Sequence, residues 1–215
     1  MKTKIMLSFT ILLLAGTLVA CDGDMSVNQT IRVEDGETRA SDLATVNGNI
    51  IVGDNCEVRG DCNTVNGRIK IGDDSVVEEL ATVNGKISIG KNSRVRYEAS
   101  SVNGPIYLES GSEVARDVTT INGKIELENA RIKRNIETIN GHIELLKQSV
   151  VEGDIIIQDT KGFSSKRRRV KIRLEDESIV EGSIIVEDRD VDVTVYLSGG
   201  SKVMGDIEGA EVIEK

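Results

Sequence analysis

The chain has no tryptophan, a single proline, a single histidine and only 2% aromatic residues in 215. A core anchored on large rings is therefore excluded, and whatever is buried must be built from Val, Ile and Leu. The lone histidine, His142, sits at a variable position of a repeat, which leaves no plausible Ser-His-Asp set. No group of His, Cys, Asp and Glu shows metal-ligand spacing, and no glycine-rich phosphate loop is present. The sequence accordingly assigns no catalytic residue, cofactor or small-molecule substrate. A formal charge of −9 argues against nucleic-acid binding. With one Pro against 21 Gly, turning falls to glycine, which suits short corners rather than long irregular loops.

The N-terminus reads as an export signal: Lys2 and Lys4, an apolar run from Ile5, then small residues leading to Leu18-Val19-Ala20-Cys21. The run is too short for a transmembrane helix. Its ending resembles the lipobox of bacterial lipoproteins, and that resemblance implies cleavage after residue 20 and acylation of Cys21. Removing residues 1 to 20 takes away Lys2 and Lys4 and shifts the formal charge to −11. Residues 21 to 30 read as the lipidated Cys and a short polar tether, and 31 to 215 as one domain. The expected location is the cell envelope, outside the cytoplasm, with the membrane as partner through the anchor.

A repeat dominates the rest of the chain. The Asn of a Val/Ile-Asn-Gly triplet falls at Asn47, Asn66, Asn84, Asn103, Asn122 and Asn140, at intervals of 18 or 19. Apolar pairs keep the same beat (Ile50 and Val52, Ile69 and Ile71, Ile87 and Ile89, onward to Ile143 and Leu145), as does a third column at Val58, Val77, Val95, Val114, Ile132 and Val151. Two residues before that column stands a small residue: Cys56, Ser75, Ser93, Ser112, Ala130 or Ser149. Alternation over such short runs predicts strands. A unit this short, without helical periodicity, predicts one coil of a single-stranded parallel β-helix, an all-β solenoid of about nine coils. Val83, Ile87 and Ile89 are expected to face the core, the Asn side chains to form an amide ladder, and each Asn-Gly to make a corner that tolerates positive φ. The interval from Val151 to Val180 is 29, so one coil carries an insertion, placed at residues 160 to 169.

The third side of the coil is seven residues in most repeats, which breaks the left-handed hexapeptide rule; that hand remains the alternative. Val-x-Gly-Asp-Ile with Ile-x-Ile runs (Val151-Glu-Gly-Asp-Ile, Val203-Met-Gly-Asp-Ile) resembles the bactofilin-type, polymer-forming β-helices. The TVNG-type repeats resemble a group of exported bacterial proteins classed with adhesins. The resemblance implies a right-handed helix, in line with the usual hand of parallel crossovers, and a non-enzymatic scaffold or binding surface able to self-associate or to engage an envelope polymer or protein.

Three further groups stand out. Lys166, Arg167, Arg168 and Arg169 form the one concentrated basic run, read as a loop for anion contact. Cys56 and Cys62 bracket Arg59-Gly60-Asp61; an oxidising compartment favours a bridge, while arms of three residues around a corner set the Cα atoms about 10 Å apart, too far for one. Aligned to the repeats, the Arg-Gly-Asp is the same corner as Glu152-Gly153-Asp154, so it follows from solenoid grammar. The remaining readings are an accessory subunit of an envelope complex, or a hexapeptide-type transferase or carbohydrate-active β-helix enzyme.

Overall fold

The computed structural model describes residues 24–159, 168–188 and 190–215, which form strands and turns throughout. Strands of one coil do not pair with each other. Each pairs in parallel with its equivalent one coil on, in unbroken register: Leu43, Cys62, Leu80, Ala99 and Val118 lie side by side. Among the described residues this gives three sheets. The first runs from Asp24–Ser26 to Ile207–Glu208 with ten strands, the second from Ile31–Val33 to Glu211–Glu214 with ten, and the third from Thr38–Arg39 to Lys202–Val203 with nine. The chain is thus an all-β parallel solenoid of about ten turns. At ~4.8 Å per coil it is a rod about 45 Å tall.

The extra coil comes from Asp24–Ser26, within the segment read as tether. It pairs with Leu43–Thr45, yet its residues alternate nothing apolar and so carry no pattern to find.

The core is aliphatic. The second sheet buries both members of each apolar pair, and the third buries the single Val or Ile column. The first sheet corrects the expectation for Val83. Leu80 and Thr82 face inward, 0% and 1% exposed, and parity sends Val83 outward. The same holds for Thr45, Thr64, Ser101, Thr120 and Thr138, all buried. Their hydroxyls serve the corner backbone. Thr64 Oγ1 donates to Gly48 O at 3.0 Å and Thr82 Oγ1 to Gly67 O at 3.2 Å. Higher up, the Gly123 and Gly141 amides donate to Thr120 and Thr138 Oγ1 at 2.9 and 2.8 Å. Valine there would leave those buried groups without a partner.

The Asn-Gly corner is corrected as well. Gly85 has no positive φ; it is required by close approach, since a Cβ would stand 1.8 Å from the carbonyl oxygen of Gly67 one coil below. Left-handed backbone occurs instead at the corner between the second and third sheets, at Gly36, Asn55, Asp74, Asn92, Gly111 and Asn129. Asn and Asp tolerate that conformation, which is why glycine is optional there. Beside it runs the small-residue column, where Ser75 N donates to Ser93 Oγ at 3.0 Å and Cys56 N to Ser75 Oγ at 2.9 Å.

The last coils widen. Arg168–Leu174 and Val191–Leu197 are seven-residue strands paired along their whole length, against three residues in most earlier coils. Val170, Ile172, Leu174, Val191, Val193 and Val195 add to the core.

Candidate functional site

The six asparagines stand in one exposed column. Each Nδ2 donates to the Oδ1 below: Asn66 to Asn47, Asn84 to Asn66 and Asn103 to Asn84, all at 2.8 Å, and Asn122 to Asn103 at 2.9 Å. The column continues down to Asn28, which accepts from Asn47 at 2.9 Å, and up to Asn140, which donates to Asn122 at 2.8 Å. Each rung bonds to the next along the rod axis, so the ladder acts as a structural rail.

Its upper end explains the basic run. Arg168 opens a strand rather than ending a loop, and its guanidinium caps the ladder, donating to Asn140 Oδ1 at 2.7 Å and Ile139 O at 2.9 Å. It also pairs with the Asp188 carboxylate, the two side chains being 11% and 5% exposed. Arg168 is therefore not available for anion contact. Arg169 faces solvent in register with Asp192. Lys166 and Arg167 lie outside the described residues, as does Cys21.

Cys56 and Cys62 are both buried and free, with no bridge between them. Cys56 Sγ donates to Glu34 O at 3.0 Å. Cys62 points into the core, where burial, then the charges of Asp61 and Asp42, push its thiol far above the ordinary range, so it is no nucleophile. Arg59-Gly60-Asp61 is folded into a corner: a Cβ on Gly60 would stand 2.5 Å from Ser41 and Asp42 backbone, and the Asp61 amide donates to Asp42 Oδ1 at 2.9 Å. His142 is exposed and its Nδ1 accepts the Lys171 amide at 3.1 Å, a backbone tie.

Two features have no counterpart in the sequence reading. An open polar cleft of about 560 Å³ lies along the left-handed corner, lined by Glu128, Lys147, Asp176 and Glu177 among others. Lys147 and Glu128 are ion-paired across it. The second is a carboxylate column at the corner that enters the first sheet: Asp42, Asp61, Glu79, Glu98 and Asp117 stack because each immediately precedes an inward residue of one register. The spacing of 18 or 19 was legible for these positions too, but mixed Asp and Glu hid it.

Stacking at ~4.8 Å raises proton affinity. Partial burial, then Glu98 and Asp61, push Glu79 up to about 7 against the pull of Arg116; Asp61 is raised by burial, Asp42 and Glu78. A carboxylate raised in the fold binds more protons folded than unfolded, so the stability Glu79 contributes is full below about pH 4.5 and is lost as pH rises through about 7. Glu79 is half exposed, so screening holds the effect to roughly 1 kcal/mol. Glu79→Gln is expected to raise the melting temperature at pH 8 and leave it unchanged at pH 4.5; calorimetry at both checks this, and an equal shift at both would refute the linkage.

Among the described residues no group of three His, Cys, Asp or Glu could hold a metal ion, and no helix is long and apolar enough to cross a membrane. Compared with known proteins, the chain matches no family model, no curated protein and no solved structure. Function must therefore be argued from the surfaces the solenoid presents.

Proposed function

We propose that this chain is a lipid-anchored, non-enzymatic rod of the bacterial cell envelope, a scaffold that displays binding faces close to its membrane. The observation that carries the reading is that the first described strand, Asp24–Ser26, lies only three residues after Cys21. Three residues span at most ~11 Å. With Cys21 acylated, the first coil stands against the head groups and the rod reaches about 45 Å outward.

Both ends of such a rod are closed to stacking. The membrane covers the lower edge. The upper edge ends in Ile207–Glu208 and Glu211–Glu214, where Glu208, Glu211 and Glu214 are exposed, and charges on an edge strand oppose addition of another. Partners, whether an envelope polymer, a protein or a second copy, are left with the sides. The resemblance to polymer-forming β-helices accords with a scaffold role, here without end-to-end growth.

The test is metabolic labelling with a palmitate analogue. Label and membrane fractionation are expected for the full chain, and both are expected to disappear in Cys21→Ser. A Cys21→Ser protein that stays in the membrane fraction overturns the anchor.

A further inference from the structure

Parity in the first sheet shapes the surface as well as the core. Because the threonines point inward, Val46, Val65, Val83, Val102, Ile121 and Ile139 point outward, each half-buried, in a stripe parallel to the rod axis. Val27 extends it downward and is 57% exposed. The adjacent outward column is small below and aliphatic above: Ala44, Asn63, Ala81, Ser100 and Thr119, then Glu137, Ile156 and Ile185. Glu137 is the only charged side chain in that column between Ala44 and Ile185, and it is buried and bonded to Gln158 at 2.6 Å. The second sheet differs, its outward column running Lys70, Ser88, Tyr107, Glu126, Glu144 and Arg173. On a chain of net charge −9, one flat face is apolar and nearly uncharged from Val27 to Ile139, above which the stripe turns polar at Gln158 and Glu187.

We propose that this face packs against the same face of a second copy, the two rods standing parallel about a two-fold axis along their length. Its size suits a weak pair: seven strands, Asp24–Ser26 to Ile136–Thr138, at ~4.8 Å by four residues at ~3.3 Å give about 450 Å² per copy. A pair thus buries roughly 900 Å², the range of transient contacts, which confinement to one membrane would sustain.

Charge selects the orientation. The face is bordered on one side by the asparagine ladder and on the other by Asp42, Asp61, Glu79 and Glu98. A two-fold along the rod sets each copy's carboxylate column beside its partner's asparagine ladder. The antiparallel alternative sets carboxylates against carboxylates at one rim and ladder against ladder at the other, and like charges so juxtaposed suppress pairing. Parallel rods are also what two chains anchored by Cys21 in one membrane must be; this part rests on the proposed anchor, and confinement to the membrane raises the effective concentration. The interface is isologous, so residues near the stripe meet their own equivalents.

Cross-linking in native membranes decides it. The native Cys56 and Cys62 are buried, and Cys21 is acylated in the proposed anchor and absent in Cys21→Ser, so an added surface thiol reports alone. Facing sheets lie about 10 Å apart, within reach of a short bismaleimide. Ala44→Cys, near the lower end, is expected to cross-link to itself. Adding Val83→Glu places a charge mid-stripe and is expected to cut the product at least tenfold, while leaving the melting temperature of this half-exposed position nearly unchanged.

Absence of a cross-linked Ala44→Cys dimer in folded protein overturns the proposal, as does a dimer indifferent to Val83→Glu. Cross-linking only when the Ala44→Cys and Ile156→Cys proteins are mixed overturns the parallel arrangement. Cys21→Ser separates the two readings. If that protein remains membrane-bound, the anchor is wrong and the Ala44→Cys cross-link still judges the face. If it is released and dimerises only when concentrated, anchor and face both stand.

Discussion

Gly85→Ala is expected to destabilise the rod by at least about 4 kcal/mol, in the range reserved for a short list of severe mechanisms. The added methyl carbon would stand 1.8 Å from Gly67 O and 2.6 Å from its carbonyl carbon. Neither is a flexible chain end. Gly67 O also accepts the Thr82 hydroxyl, and the corner is pinned above and below by Asn84 N to Val65 O and Asn103 N to Val83 O, at 2.9 and 2.8 Å. The coil can yield only by opening the stack. The control is Gly36→Ala, where a Cβ would meet nothing within 4 Å but φ is +74°; backbone strain alone costs roughly 1 kcal/mol there. Asn84→Ala supplies the second comparison, losing two exposed ladder bonds at about 0.5–1.5 kcal/mol each at most. Urea denaturation of the three variants should rank Gly85→Ala far below the others. A Gly85→Ala midpoint equal to that of Gly36→Ala would mean the glycines are chosen for turning rather than for closeness.

That ranking marks where sequence reasoning succeeded and where it failed. The period of 18 or 19 was enough for the solenoid, because stacked coils force equal residues into columns and columns show directly as repetition. Depth within a column is a different matter. Thr82 and Val83 are adjacent and both recur, and hydrophobicity favours Val for the core. Only the strand's first inward residue settles the parity, and Leu43, Cys62, Leu80, Val118 and Ile136 were readable as that residue. Likewise Asn-Gly suggests left-handed backbone by habit, whereas here the side-chain hydrogen is needed to fit above the carbonyl of the coil below; nothing in one chain's sequence distinguishes those two uses of glycine. Asp24–Ser26 was invisible for a simpler reason. An end strand has little core to cover, and no apolar period is imposed on it. The basic run misled because charge was counted without register. Once Arg168 is placed opposite Val191 and above Asn140, it has a carboxylate and two carbonyl oxygens waiting.

Arg168→Ala is the second large effect, expected to cost about 3–5 kcal/mol because it breaks a buried ion pair. Asp188 is 5% exposed at its side chain, and the same change also leaves Ile139 O and Asn140 Oδ1 without their donors. The Asp188 carboxylate keeps the Asp190 amide, which donates to its Oδ1 at 2.8 Å, and the coupling between Arg168→Ala and Asp188→Ala in a double-mutant cycle measures the pair directly. Arg169→Ala, one residue on but facing water, is expected to fall within about 0.5 kcal/mol of the parent. The solenoid also predicts where the damage appears. Each coil contacts only its neighbours, so amide exchange should quicken across Arg168–Leu174 and Val191–Leu197 while Leu80–Thr82 and Ile87–Ile89, several coils below, keep their protection. Uniform loss along the rod would show that the coils fold as one cooperative body and that the cap at Arg168 supports all of them.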